Sequence, residues 1–161
     1  MDIARILCPI DYSGYDSAAL AYASQLASDT GALILIVHVD ETRDINRAIG
    51  EAGYLYGAPE ATRVEGEERL GWAKPTVAHV PCEHHYLTGS PVPELLKFAE
   101  REEVDLIVMG SHGRSGLSRL LMGSVAEGVM RKAKCPVLIV KHPVPAAVED
   151  VSSVLMEGAR G

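Results

Sequence analysis

The chain has 161 residues, of which 47% are hydrophobic and 23% charged, the composition of a globular domain large enough to bury a core. Its apolar runs are far shorter than the roughly 20 residues of a transmembrane helix, so no such helix is expected in this sequence. The net charge of -7 argues against general nucleic-acid binding.

The first part of the chain predicts two strands with a helix between them. Residues 3–10 form a β-like run, and a helix capped by Asp16 or Ser17 follows a short turn. Gly31 ends this helix, because glycine tolerates the left-handed backbone found just after a helix. Residues 32–39 are almost continuously apolar, as are the strands of a parallel sheet that is covered on both faces.

The rest of the chain continues the alternation of helices and strands. Residues 41–57 carry three glycines and show no clear period, so we expect a long loop there. A helix from Pro59 to Ala73 follows, and Pro75 ends it because proline has no N–H to donate. The remaining elements are predicted as strand 82–88, a helix beginning at Ser90-Pro91, strand 105–109, a helix over 124–134 and strand 137–140.

This alternation of strand and helix predicts an α/β fold with right-handed crossovers. We expect a doubly wound parallel sheet of five strands in the order 3-2-1-4-5, with helices on both faces. In this order the first and fourth strands are neighbours. Residues 1–141 would form the single domain, and residues 142–161 a C-terminal tail.

We expect a cytoplasmic protein. The N-terminus shows no basic region followed by an apolar stretch and a small-residue cleavage site, so export is not indicated. The three cysteines, Cys8, Cys82 and Cys135, are an odd number without metal-like spacing. Reduced thiols of this kind are typical of a reducing compartment.

The most informative segment joins the fourth strand to the last helix. It begins with Met109-Gly110-Ser111-His112-Gly113 and, after nine further residues, ends with Gly123-Ser124. Glycines between a strand and a helix allow backbone N–H groups to converge on a phosphate. The spacing matches neither a Walker loop, in which Lys follows the last glycine, nor a G-x-G-x-x-G dinucleotide fingerprint.

Asp11 is predicted to face this glycine loop across a crevice. It follows the first strand at the edge where the strand order reverses, which is where ligands of doubly wound folds bind. Between Gly110 and Lys134 lie five basic residues and one acidic residue, which suits a small anionic ligand. Arg114 and Arg119 are the candidates for contacting it, since the other three lie near a helix end, where cations complement the dipole anyway.

The end of the glycine loop also has a purely structural interpretation. Ser124 and Glu127 have the spacing of a capping box, in which each side chain accepts the backbone N–H of the other residue. Such a box would occupy one of the N–H donors otherwise assigned to a phosphate.

Taken together, these motifs resemble the universal stress protein family. Gly110-x-x-Gly113, nine further residues and Gly123-Ser124 occur with Asp11 after the first strand and Cys135-Pro136-Val137 before the last. The resemblance covers residues 3–141, strongly at both ends and weakly over 41–88. Spaced glycines of this kind are typical of the family's ATP-binding branch.

The resemblance implies a nucleotide site and a homodimer. The implied contacts are Asp11 and Val39 with the nucleoside, Met109 and Gly110 with the ribose side, and Gly113, Gly123, Ser124 and Val125 with the phosphates. The ligand would be ATP, and Asp11 is the one obvious candidate for holding Mg²⁺. The homodimer would be joined through strand Val137–Val140, and an apolar edge strand is a liability unless it is paired.

Three functions fit these features. The favoured one is an ATP-binding homodimer that acts as a sensor or regulator in the stress response, because no Lys, general base or carboxylate pair accompanies the loop. The second is a slow ATPase or phosphotransferase, with His112 as a candidate acid or base. The third is an interaction protein that binds no nucleotide.

Several conspicuous side chains are expected to be structural. The histidines and the cysteine of segment 79–85 match no zinc pattern, and adjacent residues of a strand face opposite sides. Trp72 is expected to anchor the core. His38, near a strand end, is expected in the core or in the wall of the crevice.

Overall fold

The computed structural model describes residues 2–13, 16–41, 59–111 and 122–141. Within these ranges the strands and helices alternate as predicted. They are β1 (Arg5–Pro9), α1 (Asp16–Thr30), β2 (Leu33–Asp40), α2 (Pro59–Gly71), β3 (Cys82–Thr88), α3 (Pro91–Arg101), β4 (Leu106–Gly110), α4 (Ser124–Lys132) and β5 (Val137–Val140). The predicted loop after Glu41 and the predicted tail 142–161 lie outside the described residues.

The five strands form one parallel sheet in the order β3-β2-β1-β4-β5. This order confirms the predicted doubly wound α/β fold. From β1 the chain adds β2 and β3 on one side, then crosses to add β4 and β5 on the other. Strand β1 consequently lies at the centre, with Leu7 opposite Leu35 of β2 and Ile107 of β4.

Helices cover both faces of the sheet, and two apolar layers fill the space beneath them. Successive strand residues point to opposite faces, so each strand contributes to both layers. One layer lies under α1 and α2 and contains Ile6, Cys8, Ile34 and Ile36. The other lies under α3 and α4 and contains Leu7, Leu35, Val37, Ile107 and Met109. Full burial of one large aliphatic side chain contributes about 1.5–3 kcal/mol to the stability of the fold. These two layers therefore hold the strands, and the edge of the sheet where the strands end, in place.

Helix α1 ends at the glycine that the sequence indicates. Gly31 has a φ of +76°, a left-handed conformation that costs a glycine little. Its N–H donates to the carbonyl of Ala27 over 2.8 Å and so satisfies one of the last carbonyls of the helix.

The expectation that Trp72 anchors the core is wrong. Its side chain is 80% exposed. Helix α2 ends at Gly71, and the residue of its last turn that faces the sheet is Leu70, which is buried. The core position therefore belongs to Leu70, and Trp72 follows the helix on the outside.

The histidines of the third strand make structural contacts. A ring nitrogen of His84, Nε2, donates to the carbonyl of Ala73 over 2.6 Å, and His85 Nε2 lies 3.2 Å from a carboxylate oxygen of Glu83. In the described part of the chain, no three His, Cys, Asp or Glu side chains are placed to hold a metal ion. Over the same residues, no helix is long and apolar enough to cross a membrane.

Candidate functional site

Strands β1 and β4 lie side by side, with Ile6 opposite Leu106. Both run in the same direction, so their carboxyl ends meet at one edge of the sheet. Asp11 follows β1 by two residues, and Gly110 is the last residue of β4. The two predicted halves of the crevice thus lie at the same edge, at the point where the strand order reverses.

The turn after β1, residues 10–13, is held by carboxylates. Asp16 at the start of α1 accepts the N–H groups of Asp11 and Tyr12 on one oxygen, over 3.0 and 2.9 Å. Asp11 in turn accepts the N–H of Ser13 over 3.0 Å. Three successive N–H donors are consequently occupied, and two carboxylates stand at this position. Such a turn repels phosphate and favours the hydroxyl or amino donors of a ligand.

The two ends of the glycine loop are joined to each other. Ser111 follows β4 and is buried; its N–H donates to the carbonyl of Val140 over 3.0 Å. The Gly123 N–H donates to the Ser111 carbonyl over 2.8 Å. The loop therefore begins and ends at one point beside the crevice. Its interior, including the predicted ligand contacts Gly113 and Arg114, lies outside the described residues, as do His112 and Arg119.

The predicted capping box at Ser124 is wrong. Gly123 is the N-cap of α4, in an extended conformation, and no side chain in the described part of the chain caps this helix. The carboxylate of Glu127 instead contacts Arg131 one turn later, over 2.6 Å. Gly123 is the cap because its backbone is extended while its carbonyl accepts the Glu127 N–H over 2.9 Å, which leaves Ser124 as the first helical residue. Ser124 and Val125 thus present first-turn N–H groups, at the positive end of the helix dipole.

Two of the predicted contact residues have side chains that belong to the core. Met109 is buried in the layer under α3 and α4, and Val39 packs against that layer while half-exposed. Met109 can offer a ligand its backbone but little of its side chain. Val39, two residues past Val37 and next to the strand end, has a partly open apolar side chain.

The basic residues near the end of α4 form surface ion pairs. Arg131 contacts Glu127, and Lys134 Nζ lies 3.0 Å from a carboxylate oxygen of Glu100. Both pairs are exposed, so they contribute little to stability. Because Arg131 and Lys134 are each engaged in an ion pair, a structural role fits these two cations.

A cluster of three rings, those of Tyr12, His38 and Tyr86, packs beside the Asp11 turn. His38 is 7% exposed, and its Nδ1 donates to the carbonyl of Ile10 over 2.8 Å. The His38 ring lies between Tyr12, with centroids 4.4 Å apart, and Tyr86, with centroids 5.5 Å apart. On its other side Tyr12 meets the guanidinium of Arg69 in α2, 4.1 Å from the ring centre.

Tyr86 connects this cluster to the end of β2. Its hydroxyl donates to a carboxylate oxygen of Asp40 over 2.8 Å. Burial, followed by this bond to the Asp40 carboxylate, raises the pKa of Tyr86 well above its usual range. The hydroxyl therefore stays protonated and remains a donor at physiological pH.

Sequence reasoning expected His38 in the core or in the wall of the crevice, and the structure buries it beside the Asp11 turn. The partners of His38 were missed. Tyr12 comes from the turn after β1, Arg69 from α2 and Tyr86 from β3, and no local pattern relates residues so far apart in the chain. For Tyr12, the sequence did offer one signal. It lies in a predicted turn, and a bulky residue at a turn position with positive φ needs contacts from other elements to hold it there.

Fold and site together define a doubly wound α/β protein whose candidate ligand site lies where β1 and β4 end. The model of the universal stress protein family matches residues 3–141, and the chain belongs to this family.

Individual relatives agree with this assignment. Universal stress protein MJ0531 of Methanocaldococcus jannaschii is 35% identical over 141 residues, covering 86% of this chain and 82% of that protein. The solved structure of MJ0577, from the same organism, has a TM-score of 0.75 at 29% identity and covers 90% of this chain and all of that one. A universal stress protein solved in complex with cAMP has a TM-score of 0.57 at 27% identity, covering 88% of this chain and 98% of that one.

Proposed function

We propose that this protein binds an adenine nucleotide, in the first place ATP, and acts as a nucleotide-dependent regulator or sensor in the stress response. One observation carries the proposal: two groups of opposite chemistry lie at the edge of the sheet where β1 and β4 end. The Asp11 turn offers carboxylates, and the start of α4 offers first-turn N–H groups that no described side chain caps. A nucleotide is complementary to this arrangement, because its nucleoside carries hydrogen-bond donors and its phosphates carry negative charge.

The proposal assigns the contacts accordingly. Asp11 and Val39 bind the nucleoside, and the backbone of Met109 and Gly110 lines the ribose side. The phosphate contacts are Gly113, Arg114, Gly123, Ser124 and Val125. Asp11 is the residue that would hold Mg²⁺ if the metal accompanies the ligand. The cAMP complex of a relative 27% identical to this chain supports a nucleotide as the ligand class.

A homodimer joined through β5 is part of the proposal. Among the described strands β5 is paired only with β4, so its other edge is open. Leu138 on this strand is 37% exposed, and Met130 on the adjacent helix α4 is 47% exposed. An open edge next to exposed apolar side chains is suited to pairing with a second copy.

The proposed location is the cytoplasm. The three cysteines are unpaired, as expected in a reducing compartment. Residues 1–141 would act as the nucleotide-binding unit, with 142–161 as a tail appended to it.

Calorimetric titration of the purified protein with ATP, ADP and cAMP tests the proposal. We expect saturable binding, which Gly123→Val abolishes or weakens at least tenfold, about 1.4 kcal/mol. Gly123 has a φ of -62°, which valine also adopts, so the loss would come from the added side chain at the ligand and not from strain.

Gly71→Val is the matched control, because an added Cβ there meets no atom within 4 Å. Absence of binding by the unmodified protein would overturn the proposal. Turnover of labelled ATP above trace, abolished by Asp11→Ala or His112→Ala, would replace it with an ATPase.

A further inference from the structure

We infer that Tyr12 is a positioning residue of the nucleotide site: its ring, held between His38 and Arg69, keeps the Asp11 turn in its ligand-binding shape and makes helix α2 part of the site's support. This inference rests on the proposed function and concerns residues to which that function assigns no contact.

The backbone of Tyr12 requires such support. Its φ is +62°, in the left-handed region, which is costly for every residue except glycine and, to a lesser degree, Asn and Asp. Glycine would adopt this turn without cost, yet the chain carries a large aromatic side chain here. A non-glycine residue in this region is retained when the surrounding structure holds it there.

The ring contacts supply that support from two other elements. On one side lies His38 of β2, which also binds the carbonyl of Ile10 just before Asp11. On the other side lies the Arg69 guanidinium of α2, and the Tyr12 hydroxyl approaches the carbonyl of Gly66 over 3.4 Å. The ring of Tyr12 is therefore packed between the sheet and α2, and its contacts with His38 and Arg69 are called the ring clasp below.

The backbone of Tyr12 acts directly on the candidate site. The N–H groups of Tyr12 and Asp11 share one carboxylate oxygen of Asp16, and Asp11 also accepts the Ser13 N–H. A rotation at Tyr12 would change the direction of its N–H and hence the orientation of Asp11 beside it. Loss of the ring clasp should weaken nucleotide binding even where the fold persists.

Four variants test this inference: Tyr12→Phe, Tyr12→Gly, Tyr12→Ala and Arg69→Met. Dissociation constants are measured by calorimetry for whichever of ATP, ADP and cAMP the unmodified protein binds most tightly. The temperature is one at which circular dichroism shows each variant to be folded. Tyr12→Phe keeps the ring and should bind within about twofold of the unmodified protein, since the hydrogen bond from its hydroxyl to the Gly66 carbonyl is long, at 3.4 Å.

The other variants remove the clasp. Tyr12→Gly and Tyr12→Ala should raise the dissociation constant about five- to tenfold, and Arg69→Met about threefold, the size expected of one cation–π contact. The double variant Tyr12→Gly/Arg69→Met should be no weaker than Tyr12→Gly alone, because the two residues act through one contact.

Tyr12→Gly shows whether nucleotide affinity depends on the contacts of the ring or on the strained backbone conformation. It relieves the strain and removes the ring, so binding at the unmodified affinity would overturn the inference. A loss of stability in Tyr12→Ala or Arg69→Met without a change in affinity would also overturn it. If Tyr12→Ala does not fold, Tyr12→Gly and Arg69→Met carry the test. Failure of the unmodified protein to bind any of the three nucleotides would instead overturn the proposed function, and the inference with it.

Discussion

Gly66 of helix α2 lies directly against the ring of Tyr86. A Cβ added at Gly66 would come within 2.5 Å of Tyr86 Cε2 and 2.6 Å of its hydroxyl oxygen. The ring has little freedom to move away, because its hydroxyl is bonded to Asp40 and its face lies near His38. At this position, absence of a side chain is what lets α2 approach β3.

We predict that Gly66→Ala destabilises the protein by up to about 2 kcal/mol. Overpacking typically costs about 1–3 kcal/mol, and the gain of about 1 kcal/mol from replacing a helical glycine offsets part of it. Urea unfolding followed by circular dichroism measures the change. Gly71→Ala, in the same helix with open space around it, should be neutral or stabilising. Equal effects of the two substitutions would show that Tyr86 yields to the new methyl group.

Strand β5 is the element through which we propose that a second copy of the chain pairs. It is the shortest strand, at four residues, and its outer edge has no neighbour among the described strands. Val137 and Ile139 are only partly buried beneath α3 and α4, and Leu138 stays exposed, whereas Val140 is buried. Within one chain these features are unfavourable, whereas across a symmetric interface they are complementary.

We predict that Leu138→Lys weakens the dimer at least tenfold, about 1.4 kcal/mol, because a two-fold interface brings the two new charges close together. Sedimentation equilibrium over a concentration series measures the association. Val64→Lys, which places the same charge at an exposed apolar position of α2, is the control and should leave the dimer intact. A monomer without any substitution, or a dimer unaffected by Leu138→Lys, would contradict pairing through β5.

Stability of the whole molecule is expected to fall in alkaline solution. Burial, followed by the nearby charge of Asp16, raises the pKa of Cys8 to about 12, from an ordinary value of 9.0. Burial and the bond to Asp40 likewise raise the pKa of Tyr86 above its ordinary 10.0. Both groups hold their protons more tightly in the folded state than in the unfolded one. Their contribution is therefore fully present below about pH 9 and is lost as the pH rises from there towards the folded-state values.

We predict that the free energy of unfolding decreases between about pH 9 and pH 12, by up to about 1.4 kcal/mol per pH unit for the fully buried Cys8 and by less for Tyr86, which is only partly buried and screened by solvent. Urea unfolding at several pH values in this window measures the slope. Tyr86→Phe removes one of the two groups, so its curve should fall less steeply than that of the unmodified protein above about pH 10. Parallel curves for the two proteins would show that Tyr86 does not contribute.

Most of the fold could be predicted because its signals are local. The apolar run of β2, the glycine after α1 and the exact span of β5 are visible in short windows, and alternation of strands with helices leaves few permitted topologies. The meeting of Asp11 and Gly110 at one edge follows from that topology alone.

The sequence by itself determined the fold, the edge that carries the site and the spacing of its glycines, since these depend on periodicity and on residues close together in the chain. Only the tertiary structure decided that Gly123 caps α4, that Leu70 takes the core position expected for Trp72, and that Arg69 and His38 hold the ring of Tyr12. Each of these outcomes is a competition between contacts of residues that are distant in sequence. Close packing determines which residue makes the contact, and local propensities carry no information about residues that are distant in sequence.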